Sequence, residues 1–201
     1  MRCPAKLYRS IIFAVALLSL LLPVRAEAHL PSIGLGPVYD GIFHLLLSPE
    51  DLIPVIALAL LAGQRGASCS RRVLWVLPVA WFAGGLTGMF SATARGSAPT
   101  CFSFLLLGAL IATNAKIPGP LMTALGAILG CFHGFLNGSG INRFNDGAYV
   151  LLGIALAVFV VVTLFSSFVI PLRRQWALIV VRVAGSWIAA SGLLMLGWAL
   201  H

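Results

Sequence analysis

Apolar segments of helical length fill almost the whole chain, and this feature constrains the fold most strongly. A helix needs about 20 residues to cross the hydrocarbon core of a bilayer. Beyond residue 28 we find six such segments, at about 36–64, 72–92, 100–115, 118–138, 147–170 and 176–200. Only 9% of the 201 residues are charged, against roughly 25% in a soluble domain. The sequence therefore predicts an all-α integral membrane protein: one bundle of about six transmembrane helices over 29–201, the first helix broken near Ser48-Pro49.

Residues 1–28 have the pattern of a secretory signal peptide. A basic start precedes an apolar stretch over 11–22, and Ala26-Glu27-Ala28 offers an A-x-A cleavage site. The alternative is an uncleaved first transmembrane helix, and in both cases the chain after residue 28 begins outside the cytoplasm. Cleavage after Ala28 makes His29 the N-terminal residue. Its amine and imidazole then form a bidentate metal chelate once both nitrogens are deprotonated, unless His29 is simply a polar residue past the cut.

The distribution of Lys and Arg predicts the orientation. With the mature N-terminus outside, the loops after the first, third and fifth segments are cytoplasmic. These loops carry six basic residues: Arg65, Arg71, Arg72, Lys116, Arg173 and Arg174. The outer loops carry only Arg95 and Arg143, which satisfies the positive-inside rule. We expect a multi-pass protein of the cell (inner) membrane with both termini outside. The net charge of +8 does not indicate nucleic acid, because no basic stripe with interleaved aromatic residues is present.

The acidic residues and histidines of the mature chain all fall in the outer half of this map. They are Asp40, His44, Glu50, Asp51, His133, Asp146 and His201, together with His29 at the start. Ionisable groups beside hydrocarbon are costly and usually mark a pathway, a ligand site or a relay. Carboxylates combined with imidazoles also suit divalent transition metals. We therefore expect the protein to collect a cationic species from outside, or to act on it there.

Two readings are open for the polar residues near the break. Asp40 and His44 are four residues apart and share one helix face, either as metal ligands or as a polar pair at a helix end. Ser48-Pro49-Glu50-Asp51 has the pattern of a helix start, with Ser48 as N-cap and Asp51 completing a capping box. Capping does not exclude metal binding, because a helix broken inside a membrane is tolerated mainly where it lines a cavity.

The fourth segment carries a ridge of small residues beside a histidine. The ridge consists of Gly126, Gly130, Gly134 and Gly138, each four residues apart, and such a ridge lets another helix approach closely. His133 borders it and is expected to face the bundle interior, either as a ligand or as a packing hydrogen-bond partner. Cys131 is expected on the opposite side. The tryptophans near segment ends are interpreted mostly as interfacial anchors: Trp75, Trp81, Trp176 and Trp198.

Two motifs resemble those of the HupE/UreJ family, the hydrogenase and urease accessory membrane proteins regarded as nickel or cobalt permeases. The run from His44 to Asp51 is similar to the family's H-P-x-x-G-x-D-H motif, with Glu50 at the acid and Asp51 at the second histidine. Phe132-His133-Gly134 with Gly138 looks like the family's F-H-G-x-x-x-G helix. The chain departs from the pattern in its displaced proline and in Ser139-Gly140, which stand where an acid often follows. Replacing imidazole by carboxylate also makes the site harder.

The resemblance and the polar residues together predict a membrane transporter or uptake facilitator for Ni²⁺ or Co²⁺. The expected metal ligands are His44, His133, Asp51, Glu50, Asp40 and His29. The expected partners are the metal ion and membrane lipid, with no permanently bound cofactor and no enzymatic activity; the sequence identifies no accessory or oligomeric partner. Two alternatives stay open: an intramembrane metal-dependent hydrolase that uses His44, Asp51 and His133, and a structural membrane subunit.

Overall fold

The structure is a computed structural model that describes residues 34–91, 98–141, 146–172 and 174–199. The secondary structure of these residues is entirely helical, as predicted. The helices are α1 (Pro37–Leu47), α2 (Pro49–Arg65), α3 (Ala67–Gly88), α4 (Ala98–Ala112), α5 (Gly119–Ser139), α6 (Gly147–Val169) and α7 (Gln175–Ala199). The predicted signal peptide lies outside the described residues.

Three helices, α5, α6 and α7, are long and apolar enough to cross a membrane, and α1 with α2 adds a fourth if the bent pair is one span. The apolar helix Thr100–Ala112 is shorter, and α3 carries Arg71 and Arg72 close to its start. The all-α membrane class is thus confirmed, while the number of six spans stays a prediction.

The predicted break separates α1 from α2, whose axes differ by 76°. Ser48 lies at the break with φ −100° and ψ 94°, because a residue that precedes proline avoids the helical region. Its N–H donates to the carbonyl of His44 (3.0 Å), and its own carbonyl accepts from the amides of Asp51 and Leu52. The predicted capping box is wrong: Ser48 makes no side-chain capping bond, and its amide already has a partner in α1. Asp51 is buried instead.

Glycines bring α3 and α5 into backbone contact. A Cβ atom on Gly134 would overlap the carbonyl of Trp81, and one on Gly138 would overlap the carbonyl of Gly85. From the other side, a Cβ on Gly84 would overlap the backbone of Cys131. The close approach predicted for the fourth segment is confirmed, and its partner is α3.

Helix α2 occupies the centre of the bundle and contacts α3, α4 and α6. Its residues from Ala57 to Gly63 are all buried, as expected for a helix surrounded by others. α1 packs on the first turns of α6, where Gly41 meets Val150 and Gly153 meets Val38. α4 and α7 form a further close pair. In the first turn of α2, next to the break, Asp51 is buried while Pro49 and Glu50 are exposed.

The two ends of the bundle differ in charge. Arg65 at the end of α2 bonds to the Asn114 side chain after α4, and Arg182 near the start of α7 donates to the carbonyl of Ala112. We call this the basic end. The described acidic residues lie toward the other end, in α1 and at the starts of α2 and α6.

Candidate functional site

Four buried polar side chains from three helices meet below the break. They are His44 on α1, Asp51 on α2, and His133 and Asn137 on α5, with relative exposures of 7%, 6%, 0% and 3%. We call them the polar cluster. His133 and Asn137 share a helix face because they are four residues apart. The turn between α1 and α2 brings His44 and Asp51 to the same face of α5.

Asp51 is the central acceptor of the polar cluster. Its Oδ1 lies 2.9 Å from Nδ1 of His133, and its Oδ2 accepts from Nδ2 of Asn137 at 3.1 Å. The Nε2 atom of His44 is 3.8 Å from the same Oδ2. One carboxylate thus connects two imidazoles that stand on different helices.

The partners of Asn137 define the hydrogen-bonding role of His44. Nδ2 of Asn137 donates to Asp51 and also to the carbonyl of His133 (2.9 Å), and both partners are acceptors. The remaining amide oxygen, Oδ1, accepts from Nε2 of His44 at 2.6 Å. A neutral imidazole that carries its proton on Nε2 has its lone pair on Nδ1. In this tautomer the lone pair of the His44 ring is therefore on Nδ1.

A hydroxyl on α4 supplies the second partner of His133. Ser103 Oγ lies 3.2 Å from Nε2 of His133 and 2.8 Å from the carbonyl of Thr100. Because a hydroxyl has one proton, Ser103 donates it either to Thr100 or to His133. In the first arrangement the oxygen accepts from the ring nitrogen, and in the second it donates to it. His133 can thus carry or lack a proton on Nε2 without any change in heavy-atom positions.

The indole of Trp81 covers one face of the His133 ring. The ring centroids are 5.4 Å apart with an interplanar angle of 29°, and both side chains are 0% exposed. Nε1 of Trp81 is buried and makes no hydrogen bond with the described residues. The prediction that Trp81 is an interfacial anchor is therefore wrong: α3 packs so closely on α5 that its indole lies inside the bundle. Trp75, Trp176 and Trp198 are exposed.

The structure brings together three of the predicted ligands, His44, Asp51 and His133. Asp40 is half-buried one turn before His44, and Glu50 is exposed in the same turn as Asp51. His29 lies outside the described residues. Cys131 is exposed, on the side away from His133 as predicted.

Sequence reasoning missed the roles of Ser103 and Trp81. Their helices carry no acid or histidine near them, so no local pattern distinguished them from ordinary packing residues. Asn137 was recognisable only from its spacing to His133.

The polar cluster is closed in the described structure. No group of three or more His, Cys, Asp or Glu side chains among the described residues is arranged to hold a metal ion. The reason is visible in the distances, since the nitrogen and oxygen atoms are directed at one another rather than at a common point. Metal binding would require them to part.

The fold and the polar cluster define a class of protein: a helical membrane protein with a buried carboxylate between two histidines beneath a broken first helix. Comparison with known families is more specific. The model of the family described as HupE / UreJ protein matches residues 16–195, so the chain belongs to the HupE/UreJ family. It is also 26% identical over 186 residues to Protein HupE of Rhizobium leguminosarum bv. viciae, covering 90% of this chain and 94% of that protein. No solved structure matches the chain.

Proposed function

We propose that the protein carries a divalent transition-metal ion, Ni²⁺ or Co²⁺, across the membrane, and that His44, Asp51 and His133 bind the ion in transit. The observation that carries this proposal is the position of Asp51, a buried carboxylate between two imidazoles in an apolar bundle. Membership of the HupE/UreJ family supports a role in handling nickel or cobalt.

Burial of Asp51 is hard to explain by stability alone. Removing an ionised carboxylate from water is costly unless it is paired and hydrogen-bonded. A well-packed apolar side chain in its place is often neutral or stabilising. Ionisable groups within membrane segments mark substrate and ion pathways, and Asp51 has two potential nitrogen ligands beside it.

The ligand types favour particular ions. Two imidazole nitrogens with carboxylate oxygens suit nickel, cobalt and zinc better than Mg²⁺, which retains its water and prefers oxygen ligands. None of the three described cysteines belongs to the polar cluster, so the cluster is not the thiolate type that selects soft ions. We therefore expect Ni²⁺ and Co²⁺ to be transported in preference to Mg²⁺.

The atoms proposed to bind the ion are those that now exchange hydrogen bonds. An entering cation binds Nδ1 of His133 as the ring proton moves to Nε2, where the Ser103 hydroxyl accepts it. The cation also interacts with Oδ2 of Asp51, to which Asn137 now donates. His44 offers Nδ1 after a rotation of its ring. Without the ion, the same groups satisfy one another, which keeps the site stable while it is empty.

Transport is also favoured over hydrolysis by the number of acids. Asp51 is the only carboxylate among the buried polar residues that the structure describes. A metal-dependent hydrolase needs a general base in addition to its metal ligands. If Asp51 binds the ion, the described bundle interior provides no second acid for that role.

The test compares two acids in the same turn of α2. Asp51→Asn keeps the size of the side chain and removes its charge, whereas Glu50→Gln makes the same change at an exposed position. With the full chain in liposomes, Ni²⁺ entry should fall at least about tenfold in Asp51→Asn and stay near wild type in Glu50→Gln. Size-exclusion profiles and melting temperatures confirm that both variants fold. Normal Ni²⁺ entry with Asp51→Asn would contradict the proposal.

A further inference from the structure

We propose that the protein binds an anionic phospholipid at its basic end, in a site built around Arg182. This site is separate from the polar cluster and does not rest on metal transport. Arg182 is the only charged residue in α7, a helix long and apolar enough to cross a membrane.

Arg182 belongs to the outward surface of α7. It is exposed, and its neighbours Ile179 and Val183 are both 48% exposed. Arg182 follows Gln175 by seven residues, which is about 10 Å along the axis. Side chains on a helix tilt toward its N-terminus, so the guanidinium extends back toward the level of the lipid headgroups, as long basic side chains do near helix ends.

The guanidinium is held in place by the neighbouring helix. Nε of Arg182 donates to the carbonyl of Ala112 at 2.9 Å, which is the last helical residue of α4. A guanidinium has five N–H donors, so this single bond leaves four on the two terminal nitrogens. Those nitrogens form a planar fork that matches two oxygens of a phosphate.

The Arg182 side chain lines a cavity. Its volume is about 280 Å³, and it is lined by Ala112, Ile179, Arg182, Val183 and Ser186. The lining therefore combines a cation with the apolar side chains of Ile179 and Val183. This combination matches the part of a phospholipid where the phosphate joins the acyl chains.

The charge of Arg182 has no protein counterion among the described residues. Asp51, the buried acid, pairs with His44 and His133. The described acids lie in α1 and at the starts of α2 and α6, away from the basic end. The counterion of Arg182 must therefore come from outside the described residues, and in a bilayer a lipid phosphate can supply it. An anionic lipid such as phosphatidylglycerol is favoured over phosphatidylcholine because its headgroup carries no ammonium to offset the phosphate.

The experiment measures lipid binding to the full chain in detergent by native mass spectrometry. Phosphatidylglycerol is titrated against phosphatidylcholine, with Arg182→Gln as the test and Arg174→Gln, an exposed arginine outside the cavity, as the matched control. We expect wild type and Arg174→Gln to retain phosphatidylglycerol preferentially. Binding should be roughly fivefold weaker in Arg182→Gln, with Arg182→Lys between them because an ammonium lacks the fork.

Several results would overturn the site. If Arg182→Gln retained as much phosphatidylglycerol as wild type, Arg182 would not belong to a lipid site. If wild type bound phosphatidylcholine as well as phosphatidylglycerol, the contact would be apolar and not selective for anionic lipid. Displacement of the lipid by millimolar inorganic phosphate would make it an anion site rather than a lipid site. If Arg182→Gln does not fold, the wild-type melting temperature decides: phosphatidylglycerol should raise it and phosphatidylcholine should not. Metal entry is not measured, so the outcome is independent of the proposed transport.

Discussion

The Asp51 carboxylate connects three helices through hydrogen bonds that leave little choice of partner. His133 and Asn137 of α5 both direct nitrogen atoms at it. His44 of α1 is linked to it by a hydrogen bond through Asn137, with its own Nε2 3.8 Å from the carboxylate. Such a network defines the relative positions of its members more strictly than apolar contacts do. The arrangement of the polar cluster depends most on the orientation of the His133 ring, because both of its nitrogens have partners.

Trp81 is the residue we expect to hold that orientation. Replacing Trp81 with Leu removes the stacked ring, so the His133 ring can rotate away from Asp51 and Ser103. Ni²⁺ entry should then fall roughly tenfold, while Trp81→Phe keeps an aromatic face and most of the activity. The matched control is Trp75→Phe, at an exposed position six residues away on the same helix.

Entry of Ni²⁺ into liposomes, measured over a range of concentrations, gives KM and the maximal rate for each variant. A positioning role predicts that Phe restores the values that Leu loses. If Leu and Phe are equally impaired, bulk packing at Trp81 matters and ring stacking does not.

The residues of the polar cluster were only partly predictable from the sequence. His44, Asp51 and His133 were identified because ionisable side chains in apolar segments are conspicuous and costly. Glu50 has the same chemistry and adjoins Asp51, but it is exposed, and the sequence of one turn cannot decide which of two neighbouring acids turns inward. Ser103 and Trp81 are ordinary residues of apolar helices, so only the packing of α3 and α4 around α5 shows their contacts.

At the scale of helices, the break at Ser48-Pro49 and the glycine ridge were both predictable, since each depends on local chemistry. Proline restricts the residue before it, and glycines four apart form a groove along one face of a helix. The identity of the helix that fills the groove was not predictable. It depends on Gly84 and Gly88 of α3, which are themselves four residues apart and meet Cys131 and Phe135. Because α6 and α7 also carry glycines, the pattern alone does not identify the helix that fills the groove.

The close pairing of α3 and α5 gives a prediction about stability. Gly134→Ala places a methyl group against the carbonyl of Trp81, and backbone atoms cannot move aside as a flexible side chain can. We expect the variant to lose about 1–3 kcal/mol of stability and to melt at a lower temperature in detergent. The control is Gly197→Ala in α7, where a Cβ meets nothing within 4 Å, and which should melt as wild type does. Equal melting temperatures for Gly134→Ala and wild type would show that the two backbones are further apart.

At the scale of the whole molecule, charge is separated along the bundle axis. At one end, Arg65 of α2 bonds to Asn114 after α4, and Arg182 of α7 bonds to the last residue of α4. Lys116 lies at the same end, in the connection between α4 and α5. The polar cluster and the described acids belong to the opposite half. Because positively charged loops are retained in the cytoplasm, this separation predicts that the basic end faces the cytoplasm and that the polar cluster lies nearer the outer side.

This orientation can be tested by labelling single cysteines in intact cells. Gly140 follows α5 at the end opposite the basic end, and Lys116 precedes it at the basic end; both are exposed. In a background with Cys3→Ser, outside the described residues, and Cys131→Ser, the exposed thiol among the described residues, a membrane-impermeant maleimide should label Gly140→Cys in intact cells. It should label Lys116→Cys only after permeabilisation. Cys69 and Cys101 are buried, so they should react little in either condition. The reverse labelling pattern would place the polar cluster near the cytoplasm. The protein would then be expected to export the metal ion rather than take it up.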